Sequence, residues 1–278
     1  MSERPSSEVR SHERLAERRK TRRRRIRIAS GVLFCIVLAA ILHGLWQSPV
    51  RISRVVVYGA DQSFAALATS TMQGSYFGII PRNSTFFFPA PSIRSSIIEE
   101  HPDIAAVSIF RNGLMGLSIR VDYRVPIARW CGLAPTEGVD EYCYLFDANG
   151  FVFADADVIA TSTQTVNNFA LYAALEGETL EPLRASLAHA DKLPAAFDFA
   201  RQFAAFGAPV VRVIIKGDEV DDILASGTRI TYVLGNEQNA FTALTSSRTN
   251  FNLADGSVEY VDLRFEGKVY LKKAEAPM

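Results

Sequence analysis

The chain has 278 residues, 48% of them hydrophobic, with 30 Lys+Arg balanced by 30 Asp+Glu. That apolar fraction excludes disorder throughout, and only three Cys exclude a disulfide-dense secreted scaffold. The zero net charge conceals a split: residues 1–27 hold 11 basic and 4 acidic residues, which leaves 19 basic and 26 acidic in the remainder. Beyond the basic segment and the apolar run that follows it, about 230 residues allow one or two modest cores and argue against a large multi-domain enzyme.

Residues 28–46 read IASGVLFCIVLAAILHGLW, without Asp, Glu, Lys or Arg. As a helix this run covers about 28 Å, close to the ~30 Å hydrocarbon core of a bilayer. Trp46 falls at its far edge, where an aromatic belt belongs. A cleaved signal peptide has a shorter apolar stretch and a small-residue cleavage site, and neither fits the chain before Gln47-Ser48-Pro49. The expectation is an uncleaved transmembrane helix at 28–46. Residues 1–27 form a cytoplasmic basic tail stopped by the Arg cluster at 22–27, and the rest lies outside the cytoplasm. The basic tail is explained by this topology and by attraction to anionic lipid, so no nucleic-acid partner is expected. His43 reads as a neutral or interface-reaching side chain and Cys35 as a small apolar filler.

After the span, the β-branched run at 51–58 predicts a strand ending at Gly59. Asp61 is placed to cap a helix over 62–73, with Phe64, Leu67, Ala68 and Met72 on one face. Ser92 is the expected cap of a second helix carrying Ile93, Ile97 and Ile98, which Pro102 ends. Strands at 105–110 and 116–123 are joined through Asn112-Gly113, a strong hairpin signal. The order β-α-α-β-β in residues 50–123 defines a small α+β domain.

Residues 124–272 predict a sheet-dominated domain with helices on one side, followed by a short tail at 273–278. A hairpin turns at 147–150 between strands at 142–146 and 151–153. A helix over 194–206 places Phe199, Phe203 and Phe206 on one side, and a strand follows at 210–215. A hairpin turns at Ser226-Gly227 into an alternating strand at 229–234, and a helix covers 237–247. The closing strands are 258–265 and 268–271, turned by Glu266-Gly267. No element is assigned over 155–193.

No HExxH, GxSxG, Walker or GxGxxG motif occurs, and the four His are scattered at 12, 43, 101 and 189. The best thiol-enzyme grouping is His101 with Cys131 or Cys143, as a sortase-like transpeptidase would need, but no local sequence supports it. Cys131 and Cys143 flank a Gly- and Pro-containing loop in an oxidising compartment, so a disulfide is expected. The acidic runs at 155–157 and 218–222 lack the Gly and bidentate Glu of a calcium loop and read as solvated charge. Asn83-Ser84-Thr85 is a formal glycosylation sequon, not taken as a modification site. Catalysis, cofactor, metal and small-molecule substrate are not expected.

Several segments in order carry a family resemblance. They are ISRVVVYG at 52–59, HPDIAAVSIFR at 101–111, LSIRV at 117–121 and RVPIARW at 124–130, then YLFDANGFVF at 144–153 and YVDLRF at 260–265 with KVY at 268–270. Together, behind a basic tail and a single anchor, they resemble the FtsQ/DivIB family of bacterial cell-division proteins. Tyr123 stands where the family often has Glu, and the Pro usual between Arg111 and Leu117 is missing.

The resemblance implies a membrane-proximal POTRA domain, an FtsQ-type β domain and a bitopic protein of the inner membrane at the division septum. It implies partners of FtsB and FtsL type and a domain junction at Arg124 and Pro126. A terminal strand leaves N–H and C=O groups unpaired, which another chain's strand can complete. The expected contact lies within 258–272, on Val258, Tyr260, Asp262, Arg264, Phe265, Val269 and Tyr270, with Tyr260, Phe265 and Tyr270 as aromatic anchors. POTRA domains also serve outer-membrane assembly and secretion. There they precede a barrel, for which the ~150 remaining residues supply no set of membrane strands.

Overall fold

A single helix, α1 (Ser7–Leu45), opens the chain. The computed structural model describes residues 7–135, 142–159, 167–177 and 181–274, so residues 1–6 of the expected basic tail and residues 275–278 of the expected C-terminal tail lie outside the described residues. From Ser7 the basic segment is helical and continuous with the apolar run, consistent with the low rotamer cost of Arg and Lys in a helix. Within α1, Arg22–Leu45 is long and apolar enough to cross a membrane, and none of it is buried in the protein. The chain divides into two compact units: Met1–Glu99 with Val107–Val121, and Glu100–Ala106 with Asp122–Met278.

In the first unit α1 leads through a 3-10 turn, Ser48–Val50, into β1 (Arg54–Tyr58). Then come α2 (Ser63–Thr71), a two-stranded ribbon of β2 (Ser75–Tyr76) and β3 (Ile80–Pro81), and α3 (Ala90–Glu100). Two strands follow, β4 (Ile104–Asn112) and β5 (Gly116–Tyr123), and the three longer strands pair in the order β1-β5-β4. β1 runs parallel to β5, with Val55 opposite Leu117 and Val57 opposite Ile119.

Leu117, Ile119 and Val121 are buried at every second position, so one face of β5 is core. Ile93 and Ile97 of α3 are fully buried, a gain of about 2–3 kcal/mol each, and Arg94 Nε of the same helix donates to Val107 O at 3.0 Å. Asp61 Oδ1 accepts from Ser63 N at 2.7 Å, which satisfies one free donor at the start of α2. The start of α3 differs from expectation: it begins at Ala90, with Pro91 in its first turn, so Ser92 is inside the helix rather than its cap. Gly59 closes β1 with φ +82°, and a Cβ there would sit 2.6 Å from Val121 O.

The second unit is built on one nine-stranded sheet. Its elements are β6 (Ala128–Trp130), β7 (Tyr144–Phe146), β8 (Val152–Asp155), α4 (Ala156–Ile159), β9 (Ala170–Tyr172) and α5 (Leu193–Gln202). After these come β10 (Val210–Lys216), β11 (Glu219–Leu224), β12 (Arg229–Val233), α6 (Glu237–Ser247), β13 (Val258–Asp262) and β14 (Tyr270–Lys273). The strand order is β14-β13-β12-β11-β10-β9-β6-β7-β8, which makes β14 and β8 the edges.

Helices α5 and α6 pack together over β10 and β12. The core beneath them is aromatic, with Phe199 edge-on to Phe203 at 5.0 Å and to Tyr232 at 4.6 Å. The other face carries a smaller cluster of Ala170, Tyr172 and Ile214. The helix expected over 194–206 is in fact α5 followed by a 3-10 turn, Phe203–Phe206, closed by Gly207 at φ +72°. The stretch 155–193, which sequence left unassigned, contributes α4 and the short β9, which pairs parallel with both β6 and β10. The protein is thus mixed α/β and sheet-rich, with one N-terminal apolar helix.

Candidate partner-binding edge

β13 is paired on both sides, parallel to β12 and antiparallel to β14. Leu263 N donates to Thr231 O at 2.8 Å, so over Tyr260–Asp262 the odd-numbered backbone groups face β12 and the even-numbered ones face β14, while an irregularity between Val258 and Tyr260 reverses the order and turns Val258 O toward Thr228 Oγ1 at 2.8 Å. Ala274 N donates inward to Ser257 O at 2.9 Å, and alternation along β14 then turns the backbone of Leu271 and Lys273 outward. Among the described residues, the outward-facing backbone groups of this closing pair are therefore on β14.

This geometry redistributes the expected contact residues. Val258 and Val261 are buried, and the whole of β13 is interior to the sheet, so Val258, Tyr260 and Asp262 are not backbone partners for another strand. Arg264 and Phe265 fall in the turn between β13 and β14 rather than on a strand, and Val269 is half-buried against the core. Phe265 (51% exposed) and Tyr270 (49%) stack edge-to-face at 5.3 Å and 77°, an aromatic pair open to solvent beside the edge. Tyr260 lies beneath the Arg229 guanidinium at 5.6 Å.

Asp262 is held by the residue two beyond it. Arg264 donates to its carboxylate from N and Nε at 3.0 Å and from Nη2 at 2.7 Å, and also pairs with Glu219 on β11. Those hydrogen bonds hold the Asp262 carboxyl below the usual carboxylate range against the opposing effect of burial, and Asp262 in turn raises the Arg264 guanidinium. The turn that presents Phe265 is thereby fixed to the sheet. Sequence reading did not single out Leu271, Lys272 or Lys273. The available signal was Lys272-Lys273 at the end of the closing strand, since lysine commonly guards an open edge. Lys272 Nζ reaches Glu259 at 2.7 Å.

Arg124 is a clamp within the second unit. Its N donates to Asp103 O at 2.8 Å, its Nε to Pro102 O at 3.0 Å and its Nη1 to Asp147, while the guanidinium lies 4.0 Å from the Phe151 ring centre. Asp147 also accepts from Asn149 N and Phe151 N, so one carboxylate joins the 147–151 turn to Arg124. Pro126 is buried just before β6. Cys131 and Cys143 are joined in a disulfide with sulfurs 2.01 Å apart, and the other cysteine, Cys35, is exposed on α1. Residues 136–141 of the loop it closes lie outside the described residues.

The acidic run at 218–222 is not all solvated charge. β11 is an interior strand, so Asp221 and Asp222 are buried on its two faces. Asp221 accepts from Thr231 Oγ1 at 2.6 Å, whereas both carboxyl oxygens of Asp222 and the hydroxyl of Tyr232 lack a hydrogen-bond partner in the helix-covered core. Burial, reinforced by the charges of Asp221 and Glu237, pushes the Asp222 carboxyl well above the usual range. Asp155 and Asp157 flank the start of α4, Asp155 Oδ1 accepting from Asp157 N at 2.9 Å. Among the described residues no group of three or more His, Cys, Asp or Glu is arranged to hold a metal ion.

No protein-family model matches the chain, and no curated protein matches it.

Proposed function

We propose that the chain is a non-enzymatic, single-pass bacterial cell-division scaffold that links other membrane proteins of the division machinery at the septum. The carrying observation is the open edge at β14, flanked by the exposed Phe265–Tyr270 pair and fixed by Arg264, in a chain that also has one membrane-length helix. An incoming strand would complete the outward groups of Leu271 and Lys273 and cover the aromatic pair. In this reading the first unit is a POTRA-like domain. Its β-α-α-β-β order, interrupted by the short ribbon of β2 and β3, is compatible with that assignment. The Arg-rich start of α1 remains cytoplasmic and the parts of both units beyond α1 lie outside, by the positive-inside rule. The partner strand belongs to proteins of FtsB and FtsL type, the partners implied by the motifs at 52–59, 101–111, 124–130, 144–153 and 260–270.

The absence of catalysis is part of the same proposal. A thiol mechanism would need Cys131 or Cys143 as a thiolate, and the disulfide occupies both. Time-lapse imaging of cells depleted of the protein, complemented by a fluorescent fusion, tests the reading. Filaments with segregated nucleoids and a midcell band of the fusion are expected. Normal division with a uniform membrane signal would overturn it.

A further inference from the structure

The end of the first unit where α1 emerges is stitched together by polar bonds yet exposes large apolar side chains. Trp46, just past the end of α1, donates from its indole Nε1 to Ile79 O at 2.8 Å. The segment that follows, before β1, is tied to the same place: Ile52 N donates to Asn83 O at 2.7 Å and Thr85 N to Val50 O at 3.0 Å. Thr85 Oγ1 also donates to Leu114 O in the β4–β5 turn, and Ser53 N donates to Met115 O at 3.0 Å. Three segments, the β2–β3 ribbon, residues 82–87 and the β4–β5 turn, are thus fixed around the exit of the helix.

Those segments carry Phe77, Ile79, Phe86, Phe87, Leu114 and Met115, all exposed. Phe77 is 96% exposed and sits at the ribbon tip with φ +52°, a conformation that costs energy for any residue other than Gly. A globular surface in water has no reason to hold six large apolar side chains outward in one place. The charged groups of these segments are basic. Arg51 lies over the Trp46 ring at 5.9 Å and donates to Asn83 Oδ1 at 3.0 Å, Arg82 lies over Tyr76 at 5.5 Å, and stretches 46–60 and 72–89 contain no Asp or Glu. Aromatic and aliphatic side chains mixed with arginine and placed level with an interfacial Trp match the headgroup layer of an anionic bilayer.

We propose that this collar beds in the interfacial layer of the membrane that α1 crosses, so that the first unit rests on the lipid surface rather than hanging from a free linker. The proposal depends on the reading of α1 as a span, and the test separates the two. Full-length protein is reconstituted into vesicles of phosphatidylethanolamine and phosphatidylglycerol carrying nitroxide lipids, with one cysteine bearing an environment-sensitive fluorophore. Cys35, the cysteine outside the disulfide, reports the span in the native chain. Phe77→Cys and Leu114→Cys, each in a Cys35→Ser background, report the collar. Both are exposed turn residues on different segments, so their replacement leaves the core intact. Tyr58→Cys is the control, since seven residues of extended chain place it about 23 Å along from Arg51.

The expected result is quenching at 77 and 114 by headgroup-level nitroxides several-fold above that at 58, with Cys35 quenched by nitroxides deep in the chains. Quenching at 77 and 114 no greater than at 58, with Cys35 still deep, would overturn the collar and leave the span standing. An unquenched Cys35 would overturn the span, and the collar with it.

Discussion

Arg124 and Asp147 form an ion pair with side chains 16% and 9% exposed, and the same guanidinium binds the carbonyl of Pro102 and covers the ring of Phe151. Two separate stretches, 102–103 and 147–151, are therefore held by this one residue through its side chain and its backbone N–H. Arg124→Ala would leave Asp147 largely buried without its cation, and the expected loss is about 3 kcal/mol. Arg124→Lys would recover part of it, because an ammonium cannot bind Pro102 O and Asp147 in the same forked geometry. Urea unfolding of the purified chain, with a probe in the second unit such as Trp130, measures both.

Asp222 gives the protein an unusual pH dependence. Its folded carboxyl titrates well above the ordinary value of 3.8, so the folded state keeps a proton that the unfolded chain releases. The contribution to stability is complete below pH 3.8 and is lost as pH rises from there through the folded value, with a slope of up to about 1.4 kcal/mol per pH unit. Asp222→Asn removes that term. The difference between variant and wild type should grow in the variant's favour as pH rises. Measuring the difference isolates Asp222 from Asp262, whose lowered value acts in the opposite direction. A difference independent of pH would contradict the assignment.

The Cys131–Cys143 bridge closes a loop with a sequence separation of 12. Its removal by Cys131→Ser with Cys143→Ser is expected to cost on the order of 3 kcal/mol, chiefly through the unfolded chain. The mass of the native protein should rise by about 2 Da on reduction, two hydrogens being added to one disulfide. Denaturant midpoints of the two forms give the stability difference.

At the sheet edge, proline discriminates interior from exterior. Lys273→Pro removes an N–H that faces outward, so the fold should persist while partner affinity falls by about five-fold, the worth of one hydrogen bond of ~1 kcal/mol. Val261→Pro removes a donor aimed at β12 in a fully buried position, and the second unit should be strongly destabilised. Circular dichroism checks the fold of each variant and pull-down with the partner checks binding. Equal loss of structure in both would contradict the assignment of β14 as the edge.

Much of the local structure was legible in sequence because local rules govern it. Asn112-Gly113 between two β-branched runs marks the β4–β5 turn, where Gly113 has φ +77°, and Ser226-Gly227 marks the turn between β11 and β12. The strand order was not legible. β1 with β5, β9 with β6 and β10, and β12 with β13 are parallel pairings between distant segments, for which no turn residue announces the partner. Strands of two or three residues, such as β2, β3 and β9, carry too few positions for alternation to register. Asp221 and Asp222 were misread for a related reason. A run of charge implies solvent unless the strand holding it is known to be interior.

The candidate edge shows the same division. Tyr270 and Phe265 were recognisable as aromatics of the closing hairpin, but only the ladder shows that β13 is covered and that the open groups belong to Leu271 and Lys273.

Site-specific photo-crosslinking in living cells addresses the edge most directly, with a photoreactive residue replacing Phe265, Tyr270 or Lys272 and a control at Val211, which is exposed on the interior strand β10. The predicted result is a discrete adduct with a small single-span division protein at 265, 270 and 272, and none at 211. No adduct at those three positions, or the same adduct at 211, would contradict the proposal that β14 is where this protein takes up its partner.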